Sequence, residues 1–155
     1  MEPIERILRE LPVFVGLESG AVRLLAGCAR NAVFDSDVYL FHEGEAANEF
    51  YLLRSGMVAI EIAAAGRPPV AIATLGVGDV VGASWLVPPY RWTFDARAVA
   101  ATRAVAVDAV CLRLACEADA RFGYAMMKRF VPVLVHRLQA ARLQILDVYA
   151  SKAAR

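Results

Sequence analysis

The sequence predicts a mainly β domain with helices at both ends. Three observations carry that prediction. Apolar residues recur at helical spacing near the N-terminus and again after Cys116. Between them, from Ala32 to about Asp108, lie short runs rich in Val, Ile, Tyr and Phe. Turn signals interrupt those runs at the roughly 8–12-residue spacing of a sandwich or barrel-like roll.

The elements follow in order. Ile4, Ile7, Leu8 and Leu11 mark a first amphipathic helix, which Pro12 stops. A second is expected over Glu18–Ala29, through Val22, Leu24, Leu25 and Cys28. In the β region the punctuation falls at Asp35-Ser36-Asp37, Glu43-Gly44-Glu45, Ser55-Gly56, Gly66-Arg67-Pro68, Gly76-Val77-Gly78 and Pro88-Pro89. The runs on either side of Ser55-Gly56 read as a hairpin. Gly44, Gly56, Gly76 and Gly78 are expected at turns that need positive φ. After Cys116, Met127, Phe130, Leu134, Leu138, Ala141, Ile145 and Val148 draw one apolar stripe along a long helix, which Pro132 should kink or split. That stripe either packs on the chain's own β core or pairs with a second chain, and its length favours a homodimer through residues 122–150.

At 155 residues the chain fits one domain: a helical lead-in over 1–30, a β-roll over 31–109 and C-terminal helices over 110–155. Its apolar runs are broken by Asp, Arg or Gly well short of the roughly 18 residues of a membrane span, and no signal-peptide pattern opens it. A soluble, cytoplasmic protein is expected. The net charge of +1, with no basic stripe, gives nucleic-acid binding no support. The three cysteines, Cys28, Cys111 and Cys116, read as reduced structural thiols, and no metal site is expected. No nucleophile-elbow, phosphate-loop or zinc-protease motif is present, so no enzyme is expected.

Several stretches together resemble the cyclic nucleotide-binding domain family, which includes the sensor halves of catabolite-activator-type transcription factors. LPVFVGLESGAVRLLAGCA (Leu11–Ala29) looks like its helical lead-in. LFHEGEAANEFYLLRSGMVAIEI (Leu40–Ile62) carries turn glycines at Gly44 and Gly56. LGVGDVVG (Leu75–Gly82) is similar to its glycine-rich run into the phosphate-binding cassette, and FGYAMMKRF onward to its hinge and dimerisation helices. The resemblance implies a double-stranded β-helix, a jelly-roll-like β-roll, with N-terminal helices and a long C-terminal helix. It also implies a non-enzymatic regulatory module with cAMP or cGMP as the ligand and no other cofactor.

Carried over residue by residue, the resemblance implies ligand contacts at Gly82, Ala83, Ser84, Arg91 and Thr93, with Trp85 and Trp92 lining the pocket. Gly82 fits, because a missing side chain lets backbone N–H groups approach an anion. Ala83 stands where the family usually has a ribose-binding Glu. The lost charge-assisted bond contributes about 1.5–3 kcal/mol. Ser84 can substitute as a hydrogen-bond donor. Trp85 either packs the cassette turn onto the roll or lines or fills the pocket. Arg91 is the phosphate candidate, with Thr93 assisting. Yet the cassette is a residue short, which puts Trp92 or Thr93 nearest the family's Arg position. A surface Arg91 that pairs with Asp95 or caps the loop is the alternative. Pro88-Pro89 stiffens the loop, which suits a site already closed or filled.

The family's transcription factors follow the long helix with a helix-turn-helix. This sequence ends at DVYASKAAR, so no direct DNA binding by this chain is expected, and no membrane. Two functions stay open: a sensor of a small anionic ligand that signals through the C-terminal helix, or a ligand-free scaffold of the same fold for dimerisation or protein contact.

Overall fold

The computed structural model describes residues 3–153. A helical lead-in, α1 (Ile4–Glu10) and α2 (Ser19–Ala26), flanks a 3-10 turn at Pro12–Phe14. Ile7, Leu8, Phe14, Val22 and Leu25 are buried, the positions that helical spacing selects.

Eight antiparallel strands form two four-stranded sheets. One has the order β1 (Ala29–Phe34), β8 (Thr102–Asp108), β3 (Glu49–Ser55), β6 (Val80–Val81). The other has the order β2 (Tyr39–Phe41), β7 (Asp95–Ala98), β4 (Val58–Ala64), β5 (Arg67–Leu75). This is the mainly β roll that the sequence predicts. Its core takes Phe50, Leu52, Leu53, Val58, Val105 and Val107 from the strands.

Gly56, at φ +89°, makes the expected turn between β3 and β4. A Cβ there would fall 2.5 Å from the Ala101 carbonyl oxygen, so both the dihedral and the close approach require glycine. Gly44 and Gly78 also have positive φ, whereas Gly76 does not. At Gly76 the backbone N–H instead donates to Asp79 Oδ2, at 2.8 Å. The Asp79 N–H returns a bond to the Gly76 carbonyl at 3.0 Å, and the left-handed residue of this turn is Gly78.

Cys28 and Cys111 form a disulfide, with 5.6 Å between their Cα atoms, which corrects the expectation of three reduced thiols. Sheet register explains it. Ala29 pairs with Val107 in the β1–β8 ladder, so the residue before β1 meets the first turn after β8, although 83 residues separate the cysteines. Cys116 is free, and burial raises its pKa.

Two helices close the chain. The Asp108 carboxylate caps α3 (Ala109–Ala118) by accepting from the Cys111 N–H. Asp119 does the same for α4 (Ala120–Ala153), accepting from the N–H groups of Arg121 and Phe122. Pro132 does not split α4, which runs unbroken for 34 residues. Proline there removes the N–H that would reach the Lys128 carbonyl, and its ring crowds that carbonyl.

The apolar stripe of α4 divides its labour. Phe122, Met126 and Phe130 are buried in the core, where Phe130 meets Phe14, Phe50 and Trp85 edge-on, at ring separations of 5.8, 5.4 and 5.1 Å. Leu134, Leu138, Ile145 and Val148 stand exposed, and so do Val135 and Tyr149. No described helix is long and apolar enough to cross a membrane.

Candidate functional site

The cassette begins where β6 ends. Gly82 has φ +97°, and the 3-10 turn Ser84–Leu86 follows Ala83. Pro88-Pro89 is a cis pair, and Tyr90 takes a left-handed φ of 55°. The chain then returns alongside the Gly44 turn. Gly44 N–H donates to the Trp92 carbonyl, Trp92 N–H to the Glu45 carbonyl and Ala47 N–H to the Tyr90 carbonyl, at 2.8, 3.0 and 2.7 Å. β7 starts only at Asp95, because Thr93 and Phe94 bend. Burial still alternates through the bend, with Trp92 buried and Phe94 packed on the core while Arg91 and Thr93 are exposed. Asp95 departs from that alternation: it is buried and accepts from the Glu43 N–H at 2.7 Å, with His42 Nδ1 at 3.5 Å.

The seven site residues do not converge on one pocket. Gly82, Ala83 and Ser84 form the turn entry, with Gly82 buried and the other two half-buried. Trp92 lies directly over Gly82: a Cβ on Gly82 would come 2.5 Å from Trp92 Cη2. Its ring also stacks on Phe41, with centroids 3.9 Å apart and planes 11° apart. An indole therefore occupies the space beside the glycine backbone where an anion would have to approach.

Trp85 points the other way, into the core. It is fully buried, stacked on Phe50 at 4.6 Å and edge-on to Phe130. Its Nε1 has no hydrogen-bond partner. Arg91 is exposed and donates from Nη1 to the Gly44 carbonyl at 2.8 Å, the loop-capping alternative; its pairing with Asp95 is not seen. Thr93 is exposed.

Sequence reading missed three features. The first is Phe41, the stacking partner of Trp92. The second is Arg113, which donates from Nη1 to the Trp85 carbonyl at 2.9 Å and lies over the Tyr90 ring at 4.2 Å, so α3 grips both ends of the cassette loop. No motif marks either residue, since each acts through a partner far away in sequence. The third is a cavity of about 820 Å3 between β4, β5 and α4. Apolar side chains such as Ile60, Ile72, Phe94 and Val133 wall it, with Lys128, Arg129, His136 and Arg137 on the helix side. Gln144 Nε2 donates to the Ile72 carbonyl at 2.9 Å, tying α4 to β5 beside it.

The electrostatics near β7 are self-contained. Arg97 makes a two-pronged contact with buried Glu61, both bonds at 3.1 Å, and a third at 2.8 Å to Asp37. The hydrogen bond to Glu61 raises the Arg97 pKa above its usual value. Tyr39 and Tyr51 are also pushed up, first by burial and then by Glu61 and Glu49 respectively. Among the described residues no group of three or more His, Cys, Asp or Glu could hold a metal ion.

Comparison with known proteins gives this architecture its relatives. A putative cyclic nucleotide-binding protein from Geobacter metallireducens is 24% identical, over 89% of this chain and 98% of its own, with a TM-score of 0.79. The Thermus thermophilus catabolite activator protein is 24% identical over 90% of this chain and 63% of its own, at 0.70. The regulatory subunit of a cAMP-independent protein kinase A from Trypanosoma brucei is 17% identical over 86% and 45%, at 0.67. No curated protein matches the chain in sequence. The family model for the cyclic nucleotide-binding domain matches residues 32–119, from within β1 to the residue after α3. With two antiparallel sheets, a glycine-led cassette and a long final helix in the same order, the chain belongs to the cyclic nucleotide-binding domain family.

Proposed function

We propose that this chain is a non-enzymatic regulatory module in which the cassette is a structural element and α4 is the output surface. The observation that carries this reading is the Trp92 ring, stacked on Phe41 and lying over Gly82. Three further features support it. Ala83 supplies no carboxylate for a sugar hydroxyl, Arg91 is engaged with the Gly44 carbonyl, and Thr93 faces solvent. A relative whose kinase is described as cAMP-independent keeps the same roll.

The output side rests on two contacts. Trp85 in the cassette turn touches Phe130 of α4, so a change in the turn bears directly on the helix. Beyond Phe130, Leu134, Leu138, Ile145 and Val148 are exposed at three-, four- and seven-residue intervals, the pattern of a helix that pairs with a second copy. A homodimer through this face is part of the proposal.

The competing reading is a cyclic nucleotide or similar small anion in the Gly82–Thr93 cassette. Family membership and the free donor capacity of Ser84 favour it, but Trp92 would first have to leave Phe41. Calorimetric titration of cAMP and cGMP into protein unfolded, stripped and refolded decides between them. No heat at millimolar nucleotide is expected, with native refolding verified by circular dichroism. Binding at micromolar concentration overturns the closed-cassette reading.

A further inference from the structure

The long helix carries a second exposed row beside its pairing stripe. Lys128, Val135, Arg142 and Tyr149 each follow a stripe residue, Met127, Leu134, Ala141 and Val148, so the row lies about 100° further round α4. Leu146 belongs to the same row, four residues after Arg142 and three before Tyr149. All five are exposed. At its start the row borders a groove of about 510 Å3 between α2 and α4, which Leu24 and Lys128 help to line.

The charge of the helix is one-sided. α4 holds six Lys and Arg residues against one carboxylate, Asp147. Arg129 and Arg137 line the cavity on the roll side, whereas Lys128 and Arg142 stand in the exposed row. Asp147 is about 140° round the helix from Arg142 and leaves that row basic. The groove at its start also holds Glu18 and Asp119, but Asp119 is committed to capping α4. Apolar anchors interleaved with cations along one helix face match a helix with an apolar stripe and carboxylates beside it.

No described helix of this chain fits that description. α1 and α3 carry equal numbers of acidic and basic residues, α2 carries only Arg23, and α4 is basic. A second copy therefore brings no acidic helix to the row. We propose that the row docks an acidic amphipathic helix of a partner protein, its apolar side on Val135, Leu146 and Tyr149 and its carboxylates on Lys128 and Arg142. This rests on the reading of α4 as the output surface and names the chemistry of what receives the output.

The test is fluorescence anisotropy with two labelled peptides, one of three Glu-Ile-Ala-Ala-Leu-Glu-Glu repeats and one of three Lys-Ile-Ala-Ala-Leu-Lys-Lys repeats. The acidic peptide is expected to bind the wild type at least roughly tenfold more tightly than the basic one, with the gap narrowing as salt is raised. Lys128→Glu with Arg142→Glu should reverse the preference. Leu146→Ala with Tyr149→Ala should weaken the acidic peptide at least roughly tenfold. Circular dichroism should be unchanged in both variants, because all four side chains are exposed. Equal binding of the two peptides to the wild type overturns the proposal, as does no binding of the acidic one at high micromolar concentration. So does a preference that the charge reversal leaves intact. Sedimentation with the acidic peptide at saturation keeps the two readings apart. A dimer that retains the peptide places it beside the stripe, as proposed, whereas a dimer that the peptide splits puts it on the stripe and overturns the row. A wild type that is monomeric throughout sinks the homodimer and leaves the peptide result standing.

Discussion

Trp92 occupies the space that any side chain on Gly82 would need. The contact makes the glycine obligatory twice over, once for its φ of +97° and once for the indole above it. Gly82→Ala should therefore destabilise the fold by about 1–3 kcal/mol from the dihedral alone, plus the clash. In a double-mutant cycle with Trp92→Ala the two costs should add to less than their sum, because removing the indole removes the clash. Strict additivity in urea unfolding would show that Trp92 does not cover Gly82 in solution.

Trp85→Ala should cost about 3–5 kcal/mol, since it opens a cavity between Phe50 and Phe130. Trp85→Phe should cost much less than its lost volume suggests. It removes the Nε1–H donor that is buried without a partner, and that donor carries a desolvation penalty of about 1–3 kcal/mol. Denaturant midpoints of the two variants measure the gap.

Alkaline stability is set in part by Tyr51. Its hydroxyl donates to Glu49 Oε1 at 2.9 Å, and burial first, then the Glu49 charge, hold its pKa well above the ordinary value of 10.0. The folded state thus keeps the proton after the unfolded chain has lost it. The contribution is fully present below pH 10 and is lost as pH climbs from there toward the raised folded value. Tyr51→Phe should flatten that decline. Unfolding free energies between pH 8 and 11 would show it, and an unchanged slope counts against the Tyr51–Glu49 bond.

Reducing the Cys28–Cys111 bridge frees β1 from α3. Removing a native disulfide costs about 2–5 kcal/mol. Melting with and without dithiothreitol should therefore differ, and Cys111→Ser should abolish the difference. Cys116→Ser should not, because Cys116 is unpaired.

The exposed face of α4 predicts a dimer in solution. Leu134→Glu with Leu138→Glu should give monomers by analytical ultracentrifugation, with circular dichroism unchanged, because neither residue is buried in the core. A wild type that sediments as a monomer would contradict the pairing.

How far the sequence could be read depends on distance along the chain. Local rules sufficed for the roll's punctuation: Gly44, Gly56 and Gly78 adopt the backbone that their turns announce. They also located α4, whose apolar spacing is regular over many turns. Features that join remote segments were hidden. The disulfide depends on the register of β1 against β8, and the closure of Gly82 depends on the path of a loop ten residues further on. Asp95 was hidden in the same way: its burial depends on the Glu43 N–H, which the remote Gly44 turn brings to it. Arg113 and Arg137 carried no motif at all, since an arginine on a helix says nothing of what the other face of the fold places opposite it.

The length of α4 gives small changes at the cassette mechanical leverage. Phe130, the last core-buried residue of the helix, acts as its fulcrum, and Trp85 presses on that point. From there to Ala153 the helix extends about 35 Å at 1.5 Å per residue. A tilt of about 5° at the fulcrum, working against the Gln144 bond that ties the helix to β5, would swing the far end through about 3 Å, a displacement on the scale that separates a seated interface from a broken one.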